Sequence, residues 1–229
     1  MKPSQVLIAL VILALAPGCR HYNSPEAILK QTVKQISKTD RLTYEASIAI
    51  KDFDSRDTSF TTVSVWARKM PSDRLLGFKF RIETNDEEYI YNPPNLYRLR
   101  HGDKKRVKIN VREQANAFVD LPFQDYIFRE LLYDELYQQI QQPGYRTRIV
   151  GSNAQYWIIR LDYPPEEEIG LMYRKLWIGK HNFLPEKMIY QVSYKGQTYY
   201  QKTRVLRMLS PVKMEESFFS PDDLVNPYP

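Results

Sequence analysis

The chain has 229 residues, a formal net charge of +6 and one cysteine. Lys and Arg are dispersed among Asp and Glu, which argues against a nucleic-acid-binding protein, because that function needs a clustered basic patch. The modest positive excess suits at most attraction to an anionic membrane surface. A single cysteine excludes a disulfide within the chain. Seventeen tyrosines and only eight glycines favour strands with half-buried faces.

Residues 1–18 have the pattern of a secretory signal peptide. Lys2 supplies a positive start, and residues 6–16 (VLIALVILALA) form an unbroken apolar run. This run is shorter than the roughly 20 residues that a membrane-spanning helix needs, and it fits the apolar part of a signal peptide. An ordinary secreted protein and a short N-terminal anchor helix are the alternatives.

Cys19 is predicted to be the lipidation site. The residues before it resemble the lipobox of bacterial lipoproteins, in which signal peptidase II cuts just before a cysteine that carries diacylglycerol. Gly18 fits the small residue of that motif, whereas Ala16 and Pro17 depart from it. An acylated Cys19 leaves no thiol for catalysis or for metal binding.

Removal of residues 1–18 leaves 211 of the 229 residues, enough for one ordinary domain or at most two small ones. We expect a lipidated tether over residues 19–24 and a single domain over residues 25–229. Ser24, Pro25 and Glu26 predict the start of a helix, since they suit the cap, the first turn and the positive helix end. The apolar stripe that follows extends to about Thr39.

The apolar period then changes to two, which predicts six strands. In the third strand, Phe78, Phe80 and Ile82 alternate with Lys79 and Arg81. The connections are too short for crossover helices, so these strands are expected to be antiparallel neighbours in a meander. The six strands are predicted at residues 42–51, 58–69, 73–84, 86–92, 95–100 and 104–112.

Residues 122–142 predict a second helix, which starts at Pro122 and stops at Pro143. Two adjacent rows of apolar residues give it a broad apolar surface, so it is expected to pack into the concavity of the sheet. Five more strands are predicted at residues 145–150, 154–163, 171–180, 186–195 and 197–208. The result is a mainly β chain with about eleven strands and two helices.

This layout resembles the LolA/LolB family of lipoprotein carriers and receptors of the bacterial envelope. An N-terminal amphipathic helix leads into a long antiparallel meander, as in that family. Two prolines replace the glycine that the family has in one turn. The segments that carry the resemblance are residues 42–46 (LTYEA), 65–68 (VWAR), 71–78 (PSDRLLGF), 89–92 (YIYN), 95–97 (NLY) and 219–224 (FSPDDL).

The resemblance implies a curved antiparallel half-barrel with an apolar concave face. In the family, helices lie across that face as a lid, and the cavity accepts acyl chains. Large apolar side chains of a half-barrel either line such a cavity or simply form its core, and both interpretations stay open. The candidate cavity-lining residues are Trp66, Leu76, Phe78, Phe80, Ile82, Ile127, Leu131, Trp177 and Tyr190.

Little in the sequence indicates catalysis. The three histidines lie in the tether and in two predicted turns, without the paired spacing of a metal site. The acidic run at residues 166–168 and the basic run at residues 104–106 are interpreted as solvated turns. Strand alternation does not place polar residues together inside the concavity. We therefore expect no cofactor, no metal and no enzymatic activity.

The sequence predicts a lipid-anchored protein of the bacterial envelope, facing the periplasm from the outer membrane. The resemblance implies that it binds acyl chains or lipoprotein anchors in an apolar cavity, for lipid or lipoprotein transfer in outer-membrane biogenesis. An envelope carrier protein is the expected protein partner. A ligand-free tethered interaction module is the alternative. Arg20 follows Cys19, so the Asp that retains many lipoproteins at the inner membrane is absent.

Overall fold

The computed structural model describes residues 24–53, 55, 57–102, 106–112, 126–127, 140–164, 171–194, 197–209 and 214–221. Within these residues the fold is one helix, one sheet of eleven antiparallel strands and a short 3-10 turn. The strands are β1 (Arg41–Lys51), β2 (Thr58–Lys69), β3 (Phe78–Thr84), β4 (Glu87–Asn92), β5 (Asn95–Arg100), β6 (Arg106–Asn110), β7 (Arg146–Ser152), β8 (Tyr156–Asp162), β9 (Leu171–Gly179), β10 (Pro185–Tyr194) and β11 (Gln197–Met208). The predicted signal peptide and Cys19 lie outside the described residues.

The N-terminal helix α1 spans Pro25–Ser37. The Ser24 hydroxyl accepts a hydrogen bond from the Ala27 amide at 3.1 Å, as predicted for a helix cap. Ile28, Leu29 and Ile36 are buried on one side of the helix. These side chains recur with the helical period of 3.6 residues, and the apolar stripe that they form packs the helix against the sheet.

The sheet consists of two meanders that meet in the middle. Its order is β6-β5-β4-β3-β2-β1-β11-β10-β9-β8-β7, and it is open and curved. The first six strands are sequential antiparallel neighbours, as predicted. The two meanders join where β1 pairs with β11, with Ala46 opposite Leu206. The last strand thus pairs with the first in the middle of the open sheet, although the two are far apart in sequence.

The third strand begins later than predicted, at Phe78 rather than at residue 73. The Asp73 carboxylate accepts hydrogen bonds from the amides of Leu76 and Gly77 at 3.0 and 3.2 Å. Gly77 has a φ of 70°, which a side chain would disfavour. These contacts hold residues 73–77 in a turn, because a carboxylate that satisfies successive amides competes with strand pairing.

The sheet has two faces with different surroundings. We call the face toward α1 the inner face, because its alternate residues form one buried apolar cluster with the helix. The opposite side is the outer face. Period-two alternation assigns each strand residue to one of them. In β3, for example, Phe78, Phe80 and Ile82 belong to the inner face and Lys79 to the outer face.

The segment between β6 and β7 joins opposite edges of the sheet. β6 and β7 are the two edge strands of the sheet. Of the predicted helix at residues 122–142, only residues 126–127 and 140–142 are described, so most of it, with Leu131, lies outside the described residues. Ile127 is 3% exposed and belongs to the inner cluster, against which Tyr126 and Ile140 pack. The described residues Tyr126, Ile127 and Ile140 of this segment therefore lie against the inner face.

The C-terminal segment, residues 214–221, packs against the outer face. Met214 and Phe219 are buried there with Ile90, and Trp66 packs against them. The Glu216 carboxylate pairs with Arg68 at 2.7 Å and with Lys79. Lys79 is only 4% exposed, so this carboxylate balances a cation that the segment itself covers.

We expect Glu216→Gln to loosen the C-terminal segment and to lower the free energy of unfolding by about 1 kcal/mol. Hydrogen bonding and charge from Lys79, with Arg68 nearby, lower the pKa of Glu216. The contribution is therefore present above the ordinary value of 4.5 and is lost as the pH falls through the lowered pKa. Trp66 fluorescence in a Trp157→Phe, Trp177→Phe background reports the change. An acid-induced signal that is unchanged in the Gln variant would contradict this assignment.

Candidate functional site

The inner face is the largest apolar surface that the described residues form. Of the sequence candidates, Phe78, Phe80 and Ile82 lie in its buried cluster, and Leu76 packs against that cluster from the turn before β3. Phe80 contacts Phe78 and Tyr91, with ring centroids 5.8 and 5.4 Å apart. Interlocking aromatic rings thus form the centre of the first meander.

Trp66 and Trp177 do not line the inner face, contrary to the sequence-based interpretation. In β2 the inner residues are Val63, Val65 and Ala67, so Trp66 faces the outer side and packs on Phe218. In β9 the inner residues are Leu176 and Ile178, and Trp177 alternates with them. A strand can turn either of its two alternating sets of side chains toward the core. In β2 and β9 the set without the tryptophan faces inward.

Helix α1 covers part of the inner face and is fixed by a polar contact near each end. Near its start, the Thr147 hydroxyl of β7 donates to the Glu26 carboxylate at 2.5 Å. Near its end, the Lys69 ammonium of β2 donates to the Ile36 carbonyl at 2.9 Å. The strands β1, β11, β10, β9 and β8 lie between β2 and β7 in the sheet. The helix therefore runs across these strands on the inner face.

Residues Tyr126 and Ile127 cover the inner face of the first meander. The Tyr44 hydroxyl donates to the Tyr126 carbonyl at 3.3 Å. The Tyr126 ring lies 6.4 Å from that of Tyr89. Tyr44, Tyr89 and Phe80 are fully buried in this state. The apolar inner face is therefore covered in this structure.

One end of the inner face is cationic, which strand alternation in the sequence did not reveal. Arg174 of β9, Tyr190 of β10 and Lys202 of β11 lie opposite one another. Lys202 is only 7% exposed, and Arg204 is its neighbour on the same face of β11. The expectation that polar residues do not converge there is wrong. These residues come from three different strands, and only the pairing register of those strands brings them together.

Tyrosines surround this cationic end. The candidate Tyr190 does belong to the inner face, and its ring contacts those of Tyr163 and Tyr200 at 6.1 and 6.0 Å. Its hydroxyl donates to the Met172 sulfur at 3.3 Å. The Arg174 guanidinium lies 5.8 Å from the Tyr163 ring centre. The inner face is thus divided into an apolar part and a tyrosine-rich, cationic part.

Glu87 on β4 forms the best-connected carboxylate near the apolar part. It accepts hydrogen bonds from the Arg98 Nε at 3.1 Å, from the Arg100 Nε at 3.0 Å and from the Tyr89 hydroxyl. Burial raises the pKa of Glu87, but the hydrogen bonds from Arg98, Tyr89 and Arg100 outweigh it and lower the pKa. Burial and the same carboxylate raise the pKa of Tyr89.

We expect Glu87→Ala to lower the free energy of unfolding by about 2 kcal/mol, because it removes the charged partner of Arg98 and Tyr89. The wild-type contribution is present above the ordinary value of 4.5 and is lost as the pH falls through the lowered pKa. Urea unfolding at neutral and acid pH measures both effects. Glu83→Ala is the control, since Glu83 is 40% exposed in its pair with Arg81, and its effect is expected below about 1 kcal/mol. Equal effects of the two variants would contradict the role of Glu87.

The described residues contain no group of three or more His, Cys, Asp or Glu side chains placed to hold a metal ion. His101, one of the three histidines, is exposed in the turn after β5, and its ring lies 2.7 Å from the Asn85 carbonyl. Among the helices described, none is long and apolar enough to span a membrane.

Neither a family model nor a curated protein matches the chain. Solved structures do match. Lipoprotein LppX of Mycobacterium tuberculosis is 10% identical over 84% of this chain and 100% of its own, with a TM-score of 0.46. LprF of Mycobacterium bovis is 12% identical over 84% of this chain and 97% of its own, with a TM-score of 0.46. A LolA superfamily protein of Nitrosomonas europaea is 8% identical over 85% and 98%, with a TM-score of 0.39.

The predicted fold is confirmed by the architecture itself: one open, curved antiparallel sheet with an N-terminal helix. The sheet and the helix have the layout that the resemblance to the LolA/LolB family implied.

Proposed function

We propose that the chain is an envelope lipoprotein that binds acyl chains, or the lipid anchors of lipoproteins, on the apolar part of its inner face. It passes them on by exchange, without covalent chemistry. The observation that carries this proposal is the buried apolar surface across the sheet, which the short helix α1 and residues Tyr126 and Ile127 cover. The predicted Cys19 anchor would hold the chain at the outer membrane, facing the periplasm.

The energetics of exchange are favourable for an acyl chain. Lifting α1 exposes Ile28, Leu29 and Ile36, at a cost of about 2 kcal/mol for each side chain. Each methylene buried in their place contributes about 0.8 kcal/mol, so roughly eight methylenes offset the loss of the three side chains. Acyl chains longer than this have a net driving force toward the inner face.

The cover is suited to opening. Helix α1 has 13 residues, a length at which an isolated helix is marginal in water, so its stability depends on the sheet. The hydrogen bonds described at its two ends come from two side chains: Thr147 contacts Glu26, and Lys69 donates to the carbonyls of Ile36 and Ser37. A ligand that displaces the helix therefore disrupts few directional interactions.

The test is native mass spectrometry of the chain from Arg20 to Pro229, which keeps every described residue, produced with an export signal and purified without detergent. Co-purified phospholipid, or uptake of a fluorescent fatty acid with a defined stoichiometry, is the expected result. An unliganded mass that stays unchanged after incubation with lipid vesicles and lipoprotein would overturn the proposal.

A second candidate function is a ligand-free interaction module of the envelope. The observation that favours it is the complete burial of Tyr44, Phe80 and Tyr89, which shows a filled inner face in this state. This alternative predicts that added acyl chains neither bind nor raise the unfolding temperature. Ligand-dependent thermal stabilisation decides between the two functions, since only a ligand that binds the folded state produces it.

A further inference from the structure

A basic patch lies on the outer face, on the side of the sheet away from α1. Arg148 of β7, Arg160 of β8 and Lys175 of β9 lie opposite one another across three strands. Two residues after Lys175 on β9, Trp177 lies opposite Lys187 of β10. We call these five residues the basic outer patch.

The patch combines an aromatic centre with positive charge. The Lys187 and Lys175 ammonium groups lie 4.9 and 5.9 Å from the Trp177 ring centre. Asp162 pairs with Arg160 at 2.6 Å and with Arg148 at 3.3 Å. Among the residues that the structure describes, neither lysine forms an ion pair. The patch therefore keeps a net positive charge.

The chain that precedes α1 places this patch near its predicted anchor. Helix α1 begins beside β7, where Glu26 contacts Thr147, and β7 also carries Arg148. An extended chain spans at most about 3.6 Å per residue, so the segment from Cys19 to Ser24 reaches roughly 20 Å. A lipid on Cys19 would therefore hold the β7 edge of the sheet within that distance of a bilayer.

We propose that the basic outer patch docks on the surface of a bilayer that contains anionic phospholipid. Trp rings favour the headgroup region, and Lys side chains place their stems along apolar surface while the ammonium contacts phosphate. Lys and Arg near an anionic leaflet are attracted to it, and the attraction falls with salt. Docking by the outer face keeps α1 and the inner face accessible.

This docking goes beyond the proposed lipid-binding function and depends on different residues. The inner face holds the apolar cluster, whereas Lys175, Trp177 and Lys187 face the opposite way. Acyl-chain uptake by a patch variant is therefore expected to equal that of the wild type. A failure of docking and a failure of acyl binding are thus seen separately.

The experiment is co-sedimentation of the chain from Arg20 to Pro229, without its lipid, with phosphatidylcholine vesicles that contain or lack phosphatidylglycerol. We expect binding only to the anionic vesicles and a loss of binding as salt rises. The double variant Lys175→Glu, Lys187→Glu is expected to weaken the binding at least about tenfold.

The matched control is Lys30→Glu, Lys38→Glu, which makes the same change in net charge at exposed positions of α1 and its cap. It is expected to weaken binding less than about twofold. Equal losses in the two double variants would overturn the proposal, because they would show an effect of net charge alone. Binding to neither vesicle, or binding to an acidic protein but to no vesicle, would overturn it as well.

Discussion

Phe80→Ala is expected to lower the free energy of unfolding by about 3–5 kcal/mol. Phe80 is fully buried at the centre of the inner face, where its ring contacts those of Phe78 and Tyr91. Truncation removes the transfer free energy of the ring and leaves a cavity that strands on both sides keep from collapsing. Urea denaturation followed by circular dichroism measures the loss, and an unchanged m-value shows that the same transition is being compared.

Phe60→Ala is the matched control, because Phe60 is 79% exposed near the start of β2. Its effect is expected to stay within about 0.5 kcal/mol. If Phe80→Ala cost no more than this control, the aromatic centre of the inner face would not be packed as described. Addition of a fatty acid to the Phe80→Ala protein is a further readout, since a ligand that fills the vacated space restores stability.

Fixing α1 to the sheet is expected to weaken acyl-chain binding at least about tenfold, because the binding-competent open state then has a much lower population. Glu26→Cys and Thr147→Cys place thiols at the hydrogen bond between the helix start and β7. A chain that starts at Arg20 contains no other cysteine, so a short bifunctional thiol reagent with a reducible spacer joins only this pair. Titration with a fluorescent fatty acid measures affinity before and after reduction.

The control cross-link joins Arg68→Cys to Glu216→Cys on the outer face, where the native side chains pair at 2.7 Å. It adds the same chemistry but leaves α1 able to move, so affinity is expected to stay unchanged. Tight binding by the helix-locked protein would show that acyl chains do not enter beneath α1. Equal weakening of acyl-chain binding by both cross-links would indicate a general effect of rigidity. It would count against entry of acyl chains by movement of α1.

Much of the secondary structure followed from the sequence because several strands, such as β3, alternate apolar and polar residues with a period of two. The period placed Phe78, Phe80 and Ile82 on one face of β3, and the structure buries that face in the inner cluster. The start of β3 was misplaced, because the Asp73 carboxylate holds the next residues in a turn. The alternation of apolar and polar residues along the sequence gives no indication of such a side-chain contact with the backbone.

The two tryptophans show why the candidate site was only partly predictable. In β2 and β9 both faces carry large or apolar side chains, so the pattern does not say which one is inner. Trp66 faces outward because the C-terminal segment covers it there. That cover comes from residues some 150 positions later in the sequence, and only tertiary packing reveals it.

The sequence by itself determined the helix cap at Ser24, the number of strands, their antiparallel arrangement and the apolar stripe of α1, because these depend on residues close together in the chain. The tertiary structure decided the pairing of β1 with β11 and the meeting of Arg174, Tyr190 and Lys202. It also decided which face of the sheet is buried. Those features depend on register between strands distant in sequence, and register is set by the packing of the whole sheet.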